Sequence, residues 1–363
     1  MASAYRIETE QKYEKMLRKI TDEFPDYCRS FFDYLRLNNE IRSCYSYAED
    51  IKIFFEYLLQ QNSQFGESIK EIPLDVLEKF VPVDFYEYMT YLSYYTDKNG
   101  IPHTNSDVTK KHKINSLKVF YNYYYNNKFI SVNPTVGLRV KKPNKKEVIV
   151  LDIDEIHTLL SYVENLGVRL EAELNSDEGN KSLSQRYTYY QKNKYRDKAI
   201  LMVFLGTGIR VSECVGLDIT DISFKDRSIK LIRKGGNEDH VFFNKEIYEA
   251  LYDYIELERK VRVKEAQNQS ILFYSSRNTR MGVRAMEKMV KKYVTEALPE
   301  RAEEISVHKL RASFATNAYQ ETRDIYAIAN SLGHSSLAMV SKYAKARDED
   351  KKRVSDAISF TKG

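Results

Sequence analysis

Four residues near the C-terminus have side chains suited to phosphate chemistry. His308 and Arg311 lie one helical turn apart, His334 follows a glycine, and Tyr343 comes nine residues later. A guanidinium fork can neutralise phosphate oxygens, an imidazole can donate hydrogen bonds or move protons, and a phenol can act as a nucleophile. These residues indicate phosphate chemistry, provided that the rest of the chain supplies the missing groups.

Further candidates lie upstream of that stretch. Arg210 follows an apolar helical segment that ends in the sequence GTG, and Glu213 comes one turn later. Alternating residues between 221 and 244 predict two strands around a turn that carries Lys234 at its exposed tip. Taken singly, each residue has an ordinary explanation: a salt bridge at a helix start, a solvated turn lysine or a structural histidine.

In combination and in order, these residues resemble the tyrosine recombinase (phage integrase) family. The matching motifs are TGIRVSEC, IRKGG, HKLRASFAT, LGHSS and VSKYAKA. The resemblance covers residues 149–346 well and extends more loosely to the N-terminal part. Within the family, the chain looks most like the Xer recombinases, particularly the single-recombinase type of Gram-positive bacteria.

The resemblance implies a catalytic set and a role for each member. The set is Tyr343, Arg210, Lys234, His308, Arg311 and His334, with Glu213 in support. The tyrosine would attack the scissile phosphate, and the two arginines would clamp its non-bridging oxygens. The lysine would protonate the departing 5′-oxygen, the histidines would hold phosphate oxygens, and the glutamate would orient these groups. Because a phosphotyrosyl link conserves the free energy of the phosphodiester, neither ATP nor a metal is expected.

Composition narrows the remaining classes of protein. The three cysteines form no C-x-x-C pair and the six histidines are scattered, so neither a disulfide framework nor a metal cofactor is expected. The N-terminus is polar and charged, and the longest apolar run is too short to span a bilayer. We therefore expect a cytoplasmic protein with no membrane partner.

The pattern predicts a mainly α protein with a small β-hairpin or sheet. Residues 1–138 form a predicted helical bundle, 139–148 a basic linker, 149–346 a mixed α+β domain and 347–363 a tail helix. The resemblance implies that these are, respectively, a SAM-like core-binding DNA-binding domain, a linker, the catalytic domain and a docking element between protomers.

Local signals place several elements. We expect helices at 42–61 with Ser43 as a cap, at 84–95, and after Ser106. A polar loop is expected at 175–185.

Two groups of lysines are candidate DNA contacts. They are Lys110, Lys111 and Lys113 after Ser106, and Lys141, Lys142, Lys145 and Lys146 in the linker. A solvated helix face and an exposed linker would also explain them, and only the resemblance of the second domain favours phosphate contact.

The resemblance implies a site-specific recombinase that acts on duplex DNA through a 3′-phosphotyrosyl intermediate and a Holliday junction. The partners implied are a dif-like or attachment site, a homotetramer and, as a candidate, a DNA translocase. The leading role is chromosome dimer resolution. The integrase or excisionase of a mobile element is an alternative that the sequence separates poorly. A type IB topoisomerase and a DNA-binding protein without catalysis are less favoured, because of the bundle with its tail and the intact catalytic set.

Overall fold

The computed structural model describes residues 4–62, 65–97, 99–140, 148–177, 179–233 and 236–333. The chain divides into two compact units, Met1–Lys146 and Glu147–Gly363. Both are mainly helical with short antiparallel strands, which confirms the predicted fold class. Within these described ranges, no helix combines the length and the apolar character needed to cross a membrane.

The first unit is a helical bundle with one small hairpin. Its helices are α1 (Ala4–Thr21), α2 (Cys28–Asn38), α3 (Ile41–Gln61), α4 (Leu74–Glu78), α5 (Pro82–Tyr91) and α6 (Asp107–Asn126). Strands β1 (Tyr94–Thr96) and β2 (Pro102–Thr104) pair antiparallel between α5 and α6. The core is aromatic: the buried ring of Phe54 lies within 5.1 Å of Tyr88 and 5.9 Å of Phe85, centroid to centroid. Core packing therefore accounts for much of the tyrosine and phenylalanine content.

Some local predictions for this unit need correction. Helix α3 has Glu40, not Ser43, at its N-cap position. The helix predicted at 84–95 ends at Tyr91, and the residues after it form β1. A turn closes the hairpin because Asp97 Oδ1 accepts the N–H groups of Asn99 and Ile101 at 2.8 and 3.0 Å. Tyrosine and threonine, the residues of β1, favour strands. The turn at Asp97 allows them to pair with β2 instead of continuing the helix.

The second unit surrounds one long helix. Its helices are α7 (Ile153–Ser176), α8 (Lys181–Thr207), α9 (Val211–Gly216), α10 (Lys245–Asp253), α11 (Lys260–Arg262), α12 (Val283–Ala297), α13 (Val307–Thr322) and α14 (Ile325–Leu332). Strands β3 (Ile222–Ser223), β4 (Ser228–Ile232) and β5 (Glu238–Phe242) form an antiparallel sheet in that order. The predicted hairpin is β4–β5, and β3 adds a third strand. A π-helical stretch, Tyr254–Arg259, continues α10.

Helix α8 packs against α7, α10 and α13 and buries nearly all of its C-terminal half. The polar loop predicted at 175–185 is shorter, because α7 continues to Ser176 and α8 begins at Lys181. Asn180 caps α8: its Oδ1 accepts the N–H groups of Ser182 and Leu183, both at 3.1 Å. A polar composition therefore marked two helix ends rather than a long loop.

Lys113 lies in the interior of the first unit. Its Nζ donates to Asp50 Oδ1 at 3.0 Å, and Ser116 Oγ donates to Asp50 Oδ2 at 2.7 Å. The Lys113 side chain is only 11% exposed. Lys110 pairs with Asp107 at 2.9 Å, whereas Lys111 is half-exposed. A buried, paired ammonium is poorly placed for DNA, so this geometry opposes the predicted DNA contact by Lys113.

The two neighbouring lysines give a matched test. Lys113→Met removes one partner of a buried carboxylate, and we expect the free energy of unfolding to fall by about 2–4 kcal/mol. Lys111→Met should change it by less than about 0.5 kcal/mol, since partly exposed substitutions cost little. Urea unfolding of both variants measures the difference. Equal stabilities would contradict the buried ion pair.

Candidate active site

Arg210 is held at the start of α9 by a glutamate one turn later. The Arg210 N–H donates to Glu213 Oε2 at 2.7 Å, and Arg210 Nη1 donates to Glu213 Oε1 at 2.7 Å. The Arg210 side chain is 36% exposed, whereas that of Glu213 is 6% exposed. The buried carboxylate therefore orients a guanidinium that remains accessible to a ligand.

Arg311 is buried and bound to the ends of two helices. Its Nη1 donates to the Gly208 carbonyl, and its Nη2 donates to the Leu332 carbonyl at 2.7 Å. Gly208 follows α8 and Leu332 is the last residue of α14. The guanidinium plane is thus fixed by two backbone segments that are far apart in the sequence.

Gly208 allows these segments to meet. Its φ is +62°, a conformation that residues with a Cβ rarely adopt. A Cβ at this position would lie 2.4 Å from Phe314 Cδ1 and 2.9 Å from Leu332 Cδ2. Glycine is therefore required both by the backbone conformation and by the close approach of α13 and α14.

Arg233 joins the site, although no sequence motif pointed to it. Its Nη1 donates to Glu213 Oε2 at 3.1 Å and its Nε donates to Asp239 Oδ2 at 2.9 Å. Its Nη2 donates to the Ser331 carbonyl at 2.9 Å. The side chain is 8% exposed. Its place directly before the predicted hairpin tip was the only available signal, and that signal does not distinguish a buried arginine from a solvated one.

These contacts close a ring, which we call the arginine ring. It runs through Arg210, Glu213, Arg233, the Ser331–Leu332 backbone, Arg311 and the Gly208 backbone, which is two residues from Arg210. Among the described residues, the three guanidinium groups of the ring are accompanied by two carboxylates, Glu213 of the ring and Asp239 beside it. The described part of the site therefore has one positive charge in excess, which favours an anionic ligand such as a phosphodiester.

Glu213 carries a lowered pKa. Burial by itself would raise the pKa, but the hydrogen bond from the Arg210 N–H and the charges of Arg233 and Arg210 outweigh it, so the pKa lies below its usual 4.5. The carboxylate is thus ionised near neutral pH. It is suited to fix the arginines and not to act as a general acid there.

The remaining predicted residues fall into two groups. His308 is exposed on the first turn of α13, three residues before Arg311 and on the same face. The other predicted catalytic and linker residues lie outside the described residues: Lys234, His334, Tyr343, Lys141, Lys142, Lys145 and Lys146. In the chain, however, Lys234 directly follows Arg233, and His334 directly follows Gly333.

In the part of the chain that the structure describes, no group of three or more His, Cys, Asp or Glu side chains is arranged to hold an ion. Cys28, Cys44 and Cys214 are all described, and they are buried and unbridged.

Comparison with known proteins identifies the protein family. Residues 174–350 match the phage integrase family. This part of the chain belongs to the family of tyrosine recombinases. The chain is 29% identical to the tyrosine recombinase XerC of Caldanaerobacter subterraneus subsp. tengcongensis, over 90% of this chain and 84% of that protein. It is 28% identical to XerS of Streptococcus agalactiae serotype III (strain NEM316), over 96% of this chain and 100% of that protein.

A solved structure confirms the fold. The XerH site-specific recombinase, bound to a palindromic difH substrate after cleavage, superposes with a TM-score of 0.61 at 20% identity. The match covers 95% of this chain and 93% of that one. As a tyrosine recombinase, the protein is a site-specific DNA recombinase, an enzyme that cleaves and rejoins DNA. The arginine ring lies within the matched region.

The lowered pKa of Glu213 predicts how pH affects its contribution to stability. We expect Glu213→Gln to lower the free energy of unfolding by about 1–3 kcal/mol near neutral pH, since it weakens charge-assisted hydrogen bonds. A group whose pKa is lower in the folded state contributes fully above its unfolded pKa, usually 4.5, and loses that contribution as pH falls through its folded pKa. The difference between variant and unaltered protein should therefore be constant from pH 7 to about 5.5 and shrink below 4.5.

Chemical denaturation across this range measures the effect. Glu303→Gln is the control, because Glu303 is 92% exposed and, within the described residues, forms an ion pair only with Lys291. A Glu213→Gln deficit that grows as pH falls would contradict the lowered pKa.

Proposed function

We propose that the protein recombines duplex DNA at specific sites through a 3′-phosphotyrosyl intermediate, with Tyr343 as the nucleophile. The arginine ring carries this proposal. It orients the exposed guanidinium of Arg210 and fixes Arg311 beside the same Gly208 turn. Two arginines anchored at one turn suit the non-bridging oxygens of a phosphodiester, where negative charge accumulates during transfer.

The other catalytic residues complete the proposed reaction. The Tyr343 oxygen forms a bond to phosphorus while the bond to the 5′-oxygen breaks, and Lys234 gives the departing oxygen its proton. His308 and His334 bind phosphate oxygens and assist the removal of the tyrosine proton. A 5′-hydroxyl of another strand then attacks the phosphotyrosyl link, and the tyrosine leaves. The number of phosphoester bonds is conserved, so the reaction requires neither ATP nor a metal.

DNA binding is assigned to both units. Residues 1–138 would form the core-binding domain and 149–346 the catalytic domain. The basic segment at 139–148, with Lys141, Lys142, Lys145 and Lys146, would follow the phosphate backbone together with Lys111. Lys110 could join them if its ion pair with Asp107 opens. We exclude Lys113 from this set because of its buried pair with Asp50.

The proposed cellular role is chromosome dimer resolution at a dif-like site. The Xer names of the relatives and the difH-bound neighbour support this role. The enzyme would act as a tetramer on two DNA sites, and a DNA translocase is a candidate activator. Integration or excision of a mobile element would use the same chemistry at a different target.

Covalent trapping tests the chemistry. Incubation with a nicked suicide duplex should give a protein–DNA adduct that survives denaturation, and Tyr343→Phe should abolish it. Arg210→Ala should slow adduct formation by about 10² to 10³, as expected for the loss of a charge-stabilising donor. Addition of EDTA should leave the rate unchanged. An adduct from the Tyr343→Phe protein would show that the nucleophile is wrong, and inhibition by EDTA would contradict the metal-free reaction.

Selection from random duplexes tests the role. A selected sequence that occurs once in the source chromosome, away from mobile elements, would support dimer resolution. Recovery of sequences that flank an integrated element would instead identify an integrase.

Residues 347–363, for which the sequence predicts a tail helix, lie outside the described residues, and their proposed docking role would separate binding from assembly. Removing residues 348–363 should impair the pairing of two DNA sites more than the binding of one. Gel-shift titration measures single-site binding, and sedimentation of the protein–DNA complex measures pairing. Equal losses in both would contradict a docking role for the tail.

A further inference from the structure

We propose that Arg233 is a positioning residue for strand cleavage. It fixes Glu213, and through Glu213 the phosphate-binding arginine Arg210, against the C-terminal end of α14. This inference rests on the covalent chemistry proposed above. Arg233 itself is not expected to contact DNA, because its side chain is buried and its three nitrogens already bind three different partners.

The shape of the guanidinium suits this role. Each nitrogen donates to a separate segment: Nη1 to Glu213 on α9, Nε to Asp239 on β5, and Nη2 to the Ser331 carbonyl on α14. The three bonds lie between 2.9 and 3.1 Å. A planar fork can satisfy three fixed directions at once, whereas a lysine presents a single ammonium. Arg233 is therefore the common contact of three segments of the second unit.

Its charge also affects Arg210. Glu213 Oε2 accepts from both Arg210 N and Arg233 Nη1, so the carboxylate is shared between two cations. If Arg233 were absent, the full negative charge of Glu213 would compensate Arg210 alone. Because Glu213 is shared, it cancels less of the positive potential around the accessible Arg210 guanidinium. More of that potential is then available to attract a phosphate.

The adjoining turn is shaped to fit Arg233. Gly333, which ends α14, has a φ of +60°, and a Cβ there would lie 2.7 Å from Arg233 Nε and 2.9 Å from Cζ. The main-chain N–H of Arg233 donates to the Asn237 carbonyl at 2.8 Å, which ties the two strands of the hairpin. Arg233 is thus next in sequence to Lys234, and it packs against the residue that precedes His334.

The test separates cleavage from binding and from stability. Arg233→Met and Arg233→Lys are compared with the unaltered protein on the same nicked suicide duplex. We expect Arg233→Met to bind this duplex within about threefold of the unaltered protein but to form the adduct about 10 to 100 times more slowly, the range typical of residues that orient a catalytic group. Arg233→Lys should be intermediate, because it restores the charge without the three-way geometry.

Arg259→Met is the matched control for loss of a buried arginine. Arg259 lies in the same unit, is 6% exposed, and donates to the carbonyls of Ile271 and Gln269 at 2.9 and 2.7 Å. The Arg259→Met variant should have a lower unfolding midpoint. Its adduct rate at 25 °C should stay within about threefold of that of the unaltered protein, since the partners of Arg259 lie outside the arginine ring. If the adduct rate of Arg233→Met equals that of the unaltered protein, or if Arg259→Met slows cleavage as much, the positioning role is wrong.

A double-mutant cycle tests the contact itself. Gly333→Ala should slow adduct formation, because its methyl group displaces the Arg233 guanidinium. In the Arg233→Met background the same change should cost at least threefold less, since a methionine without hydrogen bonds can move away from the added methyl group and mainly the backbone strain remains. Additive effects would contradict the contact. These outcomes differ from failure of the proposed function, in which the unaltered protein would form no adduct at all.

Discussion

The second unit depends on one buried carboxylate shared between two arginines. Removing Glu213 from water costs free energy, and the hydrogen bonds from Arg210 and Arg233 offset that cost only in a fixed geometry. Each arginine also has a fixed place in the fold: Arg210 lies at the start of α9, and Arg233 donates hydrogen bonds to β5 and α14. Segments that are distant in the sequence are thereby coupled, because displacing one would leave a buried charge without its partner.

A second buried network shows what distinguishes the arginine ring. Arg196 donates to Asp197 Oδ1 at 2.9 and 2.6 Å, and Tyr293 donates to Asp197 Oδ2 at 3.0 Å, which joins α8 to α12. All three side chains are almost fully buried, so this network serves the fold alone. The ring lies at the C-terminal end of the same helix and leaves Arg210 accessible. Helix α8 thus connects a closed charge network in the core with an open one at the site.

The helices, the strands and the order of the motifs could be predicted from the sequence better than the burial of individual side chains. Ser106 caps α6 as expected, with its Oγ accepting from the Thr109 N–H, and the alternation after residue 221 gave the β4–β5 hairpin. Lys113 differs from its neighbours in burial, and charge spacing along a helix does not reveal that Asp50, 63 residues away, supplies a buried partner. The role of Arg233 could not be predicted from the sequence for the same reason, since its three partners come together only in the folded chain.

The arginine ring also supplies hydrogen-bond donors for carbonyl groups at the ends of two helices. The last carbonyls of a helix have no intrahelical partner, and the helix dipole places partial negative charge there. Here the carbonyls of Gly208, Ser331 and Leu332 accept from Arg311 and Arg233 instead of water. The ends of α8 and α14 therefore stabilise these cations before any phosphate is bound. Because glycines in left-handed conformation end both helices, the carbonyls can turn toward the guanidinium groups. In the proposed reaction, the phosphate would meet cations already held in place, which would reduce the reorganisation needed in the transition state.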